Sequence, residues 1–204
     1  MRYEIINWKA VFIFLLIVTF ALFFFFPFYF MVSSSFKHPL DSSVYPPIIF
    51  NFEPTLKNYI TIFKKYPMTT YFFNSFIVAT FATLVSMSLA IPAAYGMERL
   101  ISQNRERIAY MFLTMQLIPP ISMVFALFWY ANFFGILGTY WLLVIGYTLW
   151  NVPYGIWLTR GFFTTIPKEL EEAAFVDGAT RLWVLRKIVI PLTKPGIIAA
   201  TIFI

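Results

Sequence analysis

Tyr147, Asn151 and Tyr154 recur at i, i+4 and i+7, a spacing that puts two phenols and an amide on one face of a helix. Asn74 and Gln116 add two further amides to segments that are mostly apolar. Hydroxyls, amides and aromatic faces suit an uncharged polar solute, because they bind it without taking up protons or ions. Each residue alone has a plainer reading, packing against a neighbouring helix or a second subunit, since polar groups commonly join helices in membranes. The cluster therefore carries the idea of a solute path, with Gln116, Tyr147, Asn151 and Tyr154 as its candidates.

Other chemistry lacks its residues. The chain has no cysteine, so disulfides and thiolate metal sites are excluded. His38 is the only histidine, and beside Lys37 and Pro39 it has no partners for metal binding or for a catalytic triad. None of the eight glycines precedes a lysine, so the phosphate-cradling loop of ATPases is missing. No catalytic residue, metal ligand or cofactor is assigned, and ATP hydrolysis is not expected on this chain.

The elements that must position the polar face are set by composition. Of 204 residues 60% are hydrophobic, 22% aromatic and only 12% charged, the balance of a membrane protein. Charges leave empty intervals of 27 residues after Lys9, 32 after Lys65 and 52 after Arg107. About 20 apolar residues cross a bilayer as a helix. The first two intervals predict spans near 10–32 and 71–97, and the third predicts two, near 108–131 and 139–159, turning at Gly135 and Gly138. The apolar run after Lys9 is too long for a signal-peptide core and is read as a retained first helix. No Asp, Glu, Lys, Arg or His lies within the four spans, unlike ion-coupled carriers. Pro92, Pro119, Pro120 and Pro153 fall inside them and predict kinks. Trp129, Tyr130, Tyr140 and Trp141 read as interfacial anchors rather than solute contacts.

Lys and Arg set the orientation, because cytoplasmic loops carry an excess of them. Eleven lie on one side, in the N-terminus, the loop at 99–107 and the loop at 160–194, against Lys37, Lys57, Lys64 and Lys65 on the other. The N-terminus and the 160–194 loop are therefore expected in the cytoplasm, and 33–70 outside. The net charge of +6 follows the edges of the spans and gives no basic face for nucleic acid.

Ten of the 24 charged residues sit in the 160–194 loop, the chief place to meet a soluble partner. Thr165 is placed to cap a helix opening at Pro167, with Glu169, Glu171 and Glu172 near its positive end. Gly178 stops it in a left-handed conformation. Leu182, Leu185 and Val189 follow at helical spacing, with Arg181, Arg186 and Lys187 opposite, as for a helix resting at the membrane interface.

The run from Glu172 to Pro191, EAAFVDGATRLWVLRKIVIP, resembles the EAA loop of ABC importer permeases. NSFIVATFATLVSMSLAIPAAYGMERL and QLIPPISMVFALFWYANFFGILGTYW are similar to the carbohydrate-uptake branch of that family, and the likeness covers roughly residues 10 to 204. It implies an all-α, polytopic transmembrane bundle in the bacterial inner membrane, with six spans in the family. It also implies ATP-driven import of a sugar or oligosaccharide. Its implied partners are cytoplasmic ATPase subunits, a second homologous permease subunit, an extracytoplasmic solute-binding protein and the lipid bilayer. Carried over by position, Glu172, Ala173, Ala174, Asp177 and Gly178 would form the coupling helix. Only ten residues follow Lys194, so this reading holds four full spans and the start of a fifth at 195–204, a fragment or truncated chain. The rival classes are a partner-free channel or secondary carrier, which the loop opposes, and a non-transporting membrane scaffold.

Overall fold

A computed structural model describes residues 8–101 and 103–204, and among these every regular element is helical. The chain divides near Phe72 into two compact units.

The first unit holds α1 (Trp8–Ser35), a short 3₁₀ turn at Asp41–Ser43 and α2 (Lys57–Lys65). α1 is apolar on all sides and exposed on nearly all of them, Ser33 alone being buried. A helix of this kind needs lipid or protein around its whole circumference. Beyond it the chain is tied together by Asn58, whose Nδ2 donates to the carbonyls of Ser35 and Lys37 at 3.1 and 2.7 Å. Lys37, counted among the cations of the segment expected outside, is withdrawn from solvent. It is buried, with Nζ 4.9 Å from the Phe30 ring centroid and 5.2 Å from that of Phe52, a cation held on two aromatic faces. His38 has a local role, its Nδ1 accepting from the Leu40 N–H at 3.4 Å.

The second unit is built on α3 (Met68–Arg99), whose first residues precede the boundary, and on α6 (Tyr140–Phe163). Pro92 and Pro153 lie inside these two helices, and the helical assignment continues through both. The span expected as one helix over 108–131 is instead two, α4 (Arg105–Met115) and α5 (Pro120–Phe133), bent by 79°. The tandem prolines explain the break. A proline disfavours helical backbone in the residue before it, and Pro119, preceding Pro120, has ψ of 132°. By length and apolar composition α1 and α3 can cross a membrane, as can α4 with α5 if the bent pair is one crossing. α6 has the length, 24 residues, but carries Asn151, Pro153 and Arg160.

After α6 come α7 (Lys168–Val176), α8 (Arg181–Val184), a π-helical turn at Leu185–Val189, α9 (Ile190–Leu192) and α10 (Lys194–Phe203). The expected amphipathic face is only partly kept. Leu185 and Val189 are buried as expected, but Val184 is buried with them and Leu182 is exposed. Those three side chains join Ala90, Ala94, Tyr95, Ile156, Phe163 and Ile166 in one core. Burying such a side chain away from water is worth roughly 1.5–3 kcal/mol. Small residues permit the closest approaches: a Cβ on Gly155 would stand 3.0 Å from that of Ala90, and one on Gly196 only 2.2 Å from the Phe162 ring.

Candidate functional site

α7 begins without the cap assigned to Thr165. That hydroxyl donates backward to the Phe162 carbonyl at 2.7 Å, closing the end of α6, and the residue preceding α7 is Pro167. Proline fits there because its missing N–H is one that a first turn leaves unbonded, and Glu169 and Glu171 then sit near the positive end of the helix dipole. The stop follows the expected chemistry. Gly178 has φ of +85°, its N–H bonds to the Phe175 carbonyl at 3.0 Å, and the Ala179 N–H reaches back to Ala174 at 2.9 Å. These two bonds make a Schellman motif. Thr180 then caps α8 through the Trp183 N–H at 3.3 Å.

Two opposed faces result. Glu172, Ala173, Asp177 and Gly178 are exposed, while Ala174 is half-buried and packs on the core. Among the described residues neither Glu172 nor Asp177 has an ion-pair partner. Beside them a shallow concavity of about 430 Å³ is lined by Ala174, Asp177, Gly178, Ala179, Thr180 and Trp183.

Glu171 turns the other way. It is 3% exposed, and its Oε1 accepts from Arg99 Nε at 2.6 Å while Oε2 accepts from the Tyr95 hydroxyl at 2.9 Å. Arg99 Nη2 also donates to the carbonyls of Phe163 and Ile166, at 3.1 and 3.0 Å. One residue back on α3, the buried Glu98 accepts from Arg160 Nε at 2.9 Å and from Arg105 Nη1 at 3.1 Å. Arg160 additionally pairs with Glu106. Buried carboxylates are tolerated when every oxygen is bonded to a charged or strong donor. Sequence reasoning missed this cluster. Its one sequence signal is the i, i+4 pairing of Tyr95 and Arg99, but their partner stands 72 residues beyond Arg99.

The polar stripe is only partly gathered. Tyr147 and Asn151 line a cavity of about 450 Å³ between α3 and α6, together with Asn74, Ser75 and Tyr140. Tyr140, expected as an interfacial anchor, donates its hydroxyl to Asn74 Oδ1 at 2.8 Å. Asn151 Nδ2 donates to the Ile204 carbonyl at 3.1 Å. Gln116 and Tyr154 stand apart: Gln116 Nε2 bonds the Trp150 carbonyl at 2.8 Å, and the Tyr154 ring stacks on Trp157 with an interplanar angle of 17°.

A family model described as the binding-protein-dependent transport system inner membrane component matches residues 86–204, more than half of the chain and all of the charged cluster. The chain belongs to this family. Its relatives include the sulfoquinovosyl glycerol transport system permease protein SmoH of Agrobacterium fabrum, 32% identical over 87% of this chain and 62% of the relative. Another is the trehalose/maltose transport system permease protein MalG of Thermococcus litoralis, 31% identical over 88% of this chain and 64% of the relative. The chain thus spans under two thirds of the length of these family members. The fold is shared with a bacterial ABC transporter involved in import of the acidic polysaccharide alginate, with a TM-score of 0.76 at 21% identity, covering 100% of this chain and 72% of that one.

Proposed function

We propose that this chain is a membrane-spanning permease subunit of an ATP-driven importer, forming part of the path of a neutral saccharide, with the ATPase on separate subunits docked at α7. The observation that carries the reading is the two-sided build of α7. Glu171 is locked inward on α3, and its neighbours Glu172, Ala173 and Asp177 stand exposed with unpaired carboxylates beside a concavity. A short rigid helix with a small-residue face and a fixed root suits insertion into a groove of another protein. A non-transporting scaffold that merely assembles with other subunits would leave ATP hydrolysis unchanged when solute and binding protein are added.

A sugar solute is supported by relatives whose names specify trehalose/maltose and diacetylchitobiose, and by a cavity lined by Asn74, Tyr140, Tyr147 and Asn151 without a charged side chain. Gln116, at the end of α4, and Tyr154, on α6, are the further proposed members of the path, outside this cavity. A second, homologous permease subunit and an extracytoplasmic solute-binding protein complete the assembly. The loop charges support 160–194 in the cytoplasm and 33–70 outside, in a multi-pass inner-membrane protein to which this stretch contributes four full spans and the start of a fifth. The proposed cytoplasmic N-terminus, including Arg2, lies outside the described residues. A partner-free carrier would need no exposed docking helix.

The test is reconstitution with the cognate ATPase and binding protein, reading ATP hydrolysis and uptake with trehalose and maltose as probes. Stimulation by either sugar is expected. Ala173→Glu adds bulk and charge to the docking face and is expected to reduce co-purified ATPase subunit. Full co-purification together with undiminished stimulated hydrolysis would remove α7 as the docking element.

A further inference from the structure

We infer that Tyr95, Arg99 and Glu171 form the joint through which displacement of α7 enters the membrane-spanning helices, and that they are positioning residues for transport. The inference rests on the importer reading above and assigns residues outside the exposed docking face.

The geometry makes this joint a direct side-chain link from α7 to the long helix α3. Both of its donors stand on α3, one helical turn apart, so a single carboxylate is gripped along the α3 axis by a guanidinium at 2.6 Å and a phenol at 2.9 Å. Charge-assisted bonds of this length are strong and directional, and a buried setting keeps water from replacing them. The covalent routes out of α7 run through turns. Toward α6 the chain passes through the turn at 164–167, and toward α8 it passes through the left-handed Gly178. Arg99 stiffens the first of these as well, because its Nη2 holds the carbonyls of Phe163 and Ile166 at either end of that turn.

Motion delivered to Arg99 has a long carrier. α3 runs 32 residues, roughly 48 Å at about 1.5 Å per residue, and near its far end stands Asn74, bonded to Tyr140 of α6. The neighbouring Glu98–Arg160 pair fastens α6 to α3 at the Arg99 end. α3 and α6 are therefore tied at both ends, and a push through Glu171 moves the two walls of the cavity together.

A purely structural role for the joint predicts less assembled protein but normal coupling in each assembled complex. The experiment therefore reads the ratio of sugar-stimulated to basal ATP hydrolysis, per co-purified complex, in the reconstituted transporter with trehalose or maltose as the probe. Glu171→Gln is expected to lower that ratio about tenfold, within the range for coupling between sites, while the ATPase still co-purifies. Arg99→Lys keeps the charge but loses the fork that also holds two carbonyls, and should fall between parent and Glu171→Gln. Tyr95→Phe removes one hydrogen bond and should lower the ratio least. If Glu171→Gln fails to reach the membrane, Tyr95→Phe and Arg99→Lys decide. A parental ratio in every variant that assembles overturns the joint, as does loss of the ATPase from assembled Glu171→Gln. Failure of the parent itself to respond to either sugar sinks the importer reading instead, a result separable from the variants.

Discussion

Arg160 donates from Nε to Glu98 Oε2 at 2.9 Å, fastening α6 to α3 across 62 residues of sequence. Glu98 is buried, and its other oxygen is taken by Arg105. Removing one partner of a buried pair strands a charge at a cost of about 3–5 kcal/mol, whereas neutralising the acceptor while keeping its shape leaves less uncompensated. Arg160→Met is therefore expected to lower the thermal midpoint of the detergent-solubilised protein by several degrees. Glu98→Gln should lower it less. Equal midpoints for Arg160→Met and the parent would show that the pair adds nothing to the bundle.

Gly178 offers a cleaner separation of conformation from contact. Its φ is +85°, and a Cβ built there meets nothing within 4 Å, so the penalty of substitution is conformational alone. A left-handed backbone costs an ordinary residue roughly 1–2 kcal/mol, and a β-branched one more, while asparagine visits it readily. Gly178→Val should reduce uptake and stimulated ATP hydrolysis, and Gly178→Asn should retain most of both. Identical behaviour of the two variants would exclude backbone strain as the cause.

Gly196 tests packing instead. A Cβ at this position would lie 2.2 Å from the Phe162 ring, too close for any real contact. Gly196→Ala is expected to destabilise by about 1–3 kcal/mol, as overpacked sites do. Gly196→Ala combined with Phe162→Leu should recover part of that loss, read as the thermal midpoint. Additive losses in the double variant would mean that the ring and the glycine do not share one space.

Topology can be read with an impermeant thiol reagent, because the chain has no cysteine of its own. Ser43→Cys should be labelled in intact cells and Thr180→Cys only after lysis. The reverse pattern would place α7 outside and remove any meeting with a cytoplasmic ATPase.

The parts legible in the sequence are those governed by local rules. Gly178 and the helix before it followed from spacing and turn chemistry, and the charge-free intervals marked the apolar helices. What escaped depends on distant partners. Glu171 read as one of three acids near a helix start, although α7 turns it alone into the core against Tyr95 and Arg99. The burial of Lys37 was equally hidden, because nothing local announced the rings of Phe30 and Phe52. The stripe of Tyr147, Asn151 and Tyr154 was correct as helical geometry, yet neighbouring helices decided which members share a cavity. Tyr140 joined that cavity through Asn74, a residue 66 positions earlier.

The most direct test of the account is photo-crosslinking from the exposed face of α7 in the assembled transporter. A photoreactive residue in place of Ala173 or Asp177 should give an adduct with the ATPase subunit, and one in place of Ser43 should give none. Absence of that adduct from both α7 positions, in complexes that hydrolyse ATP at the parental rate, would contradict the central claim that α7 is where this chain meets its ATPase.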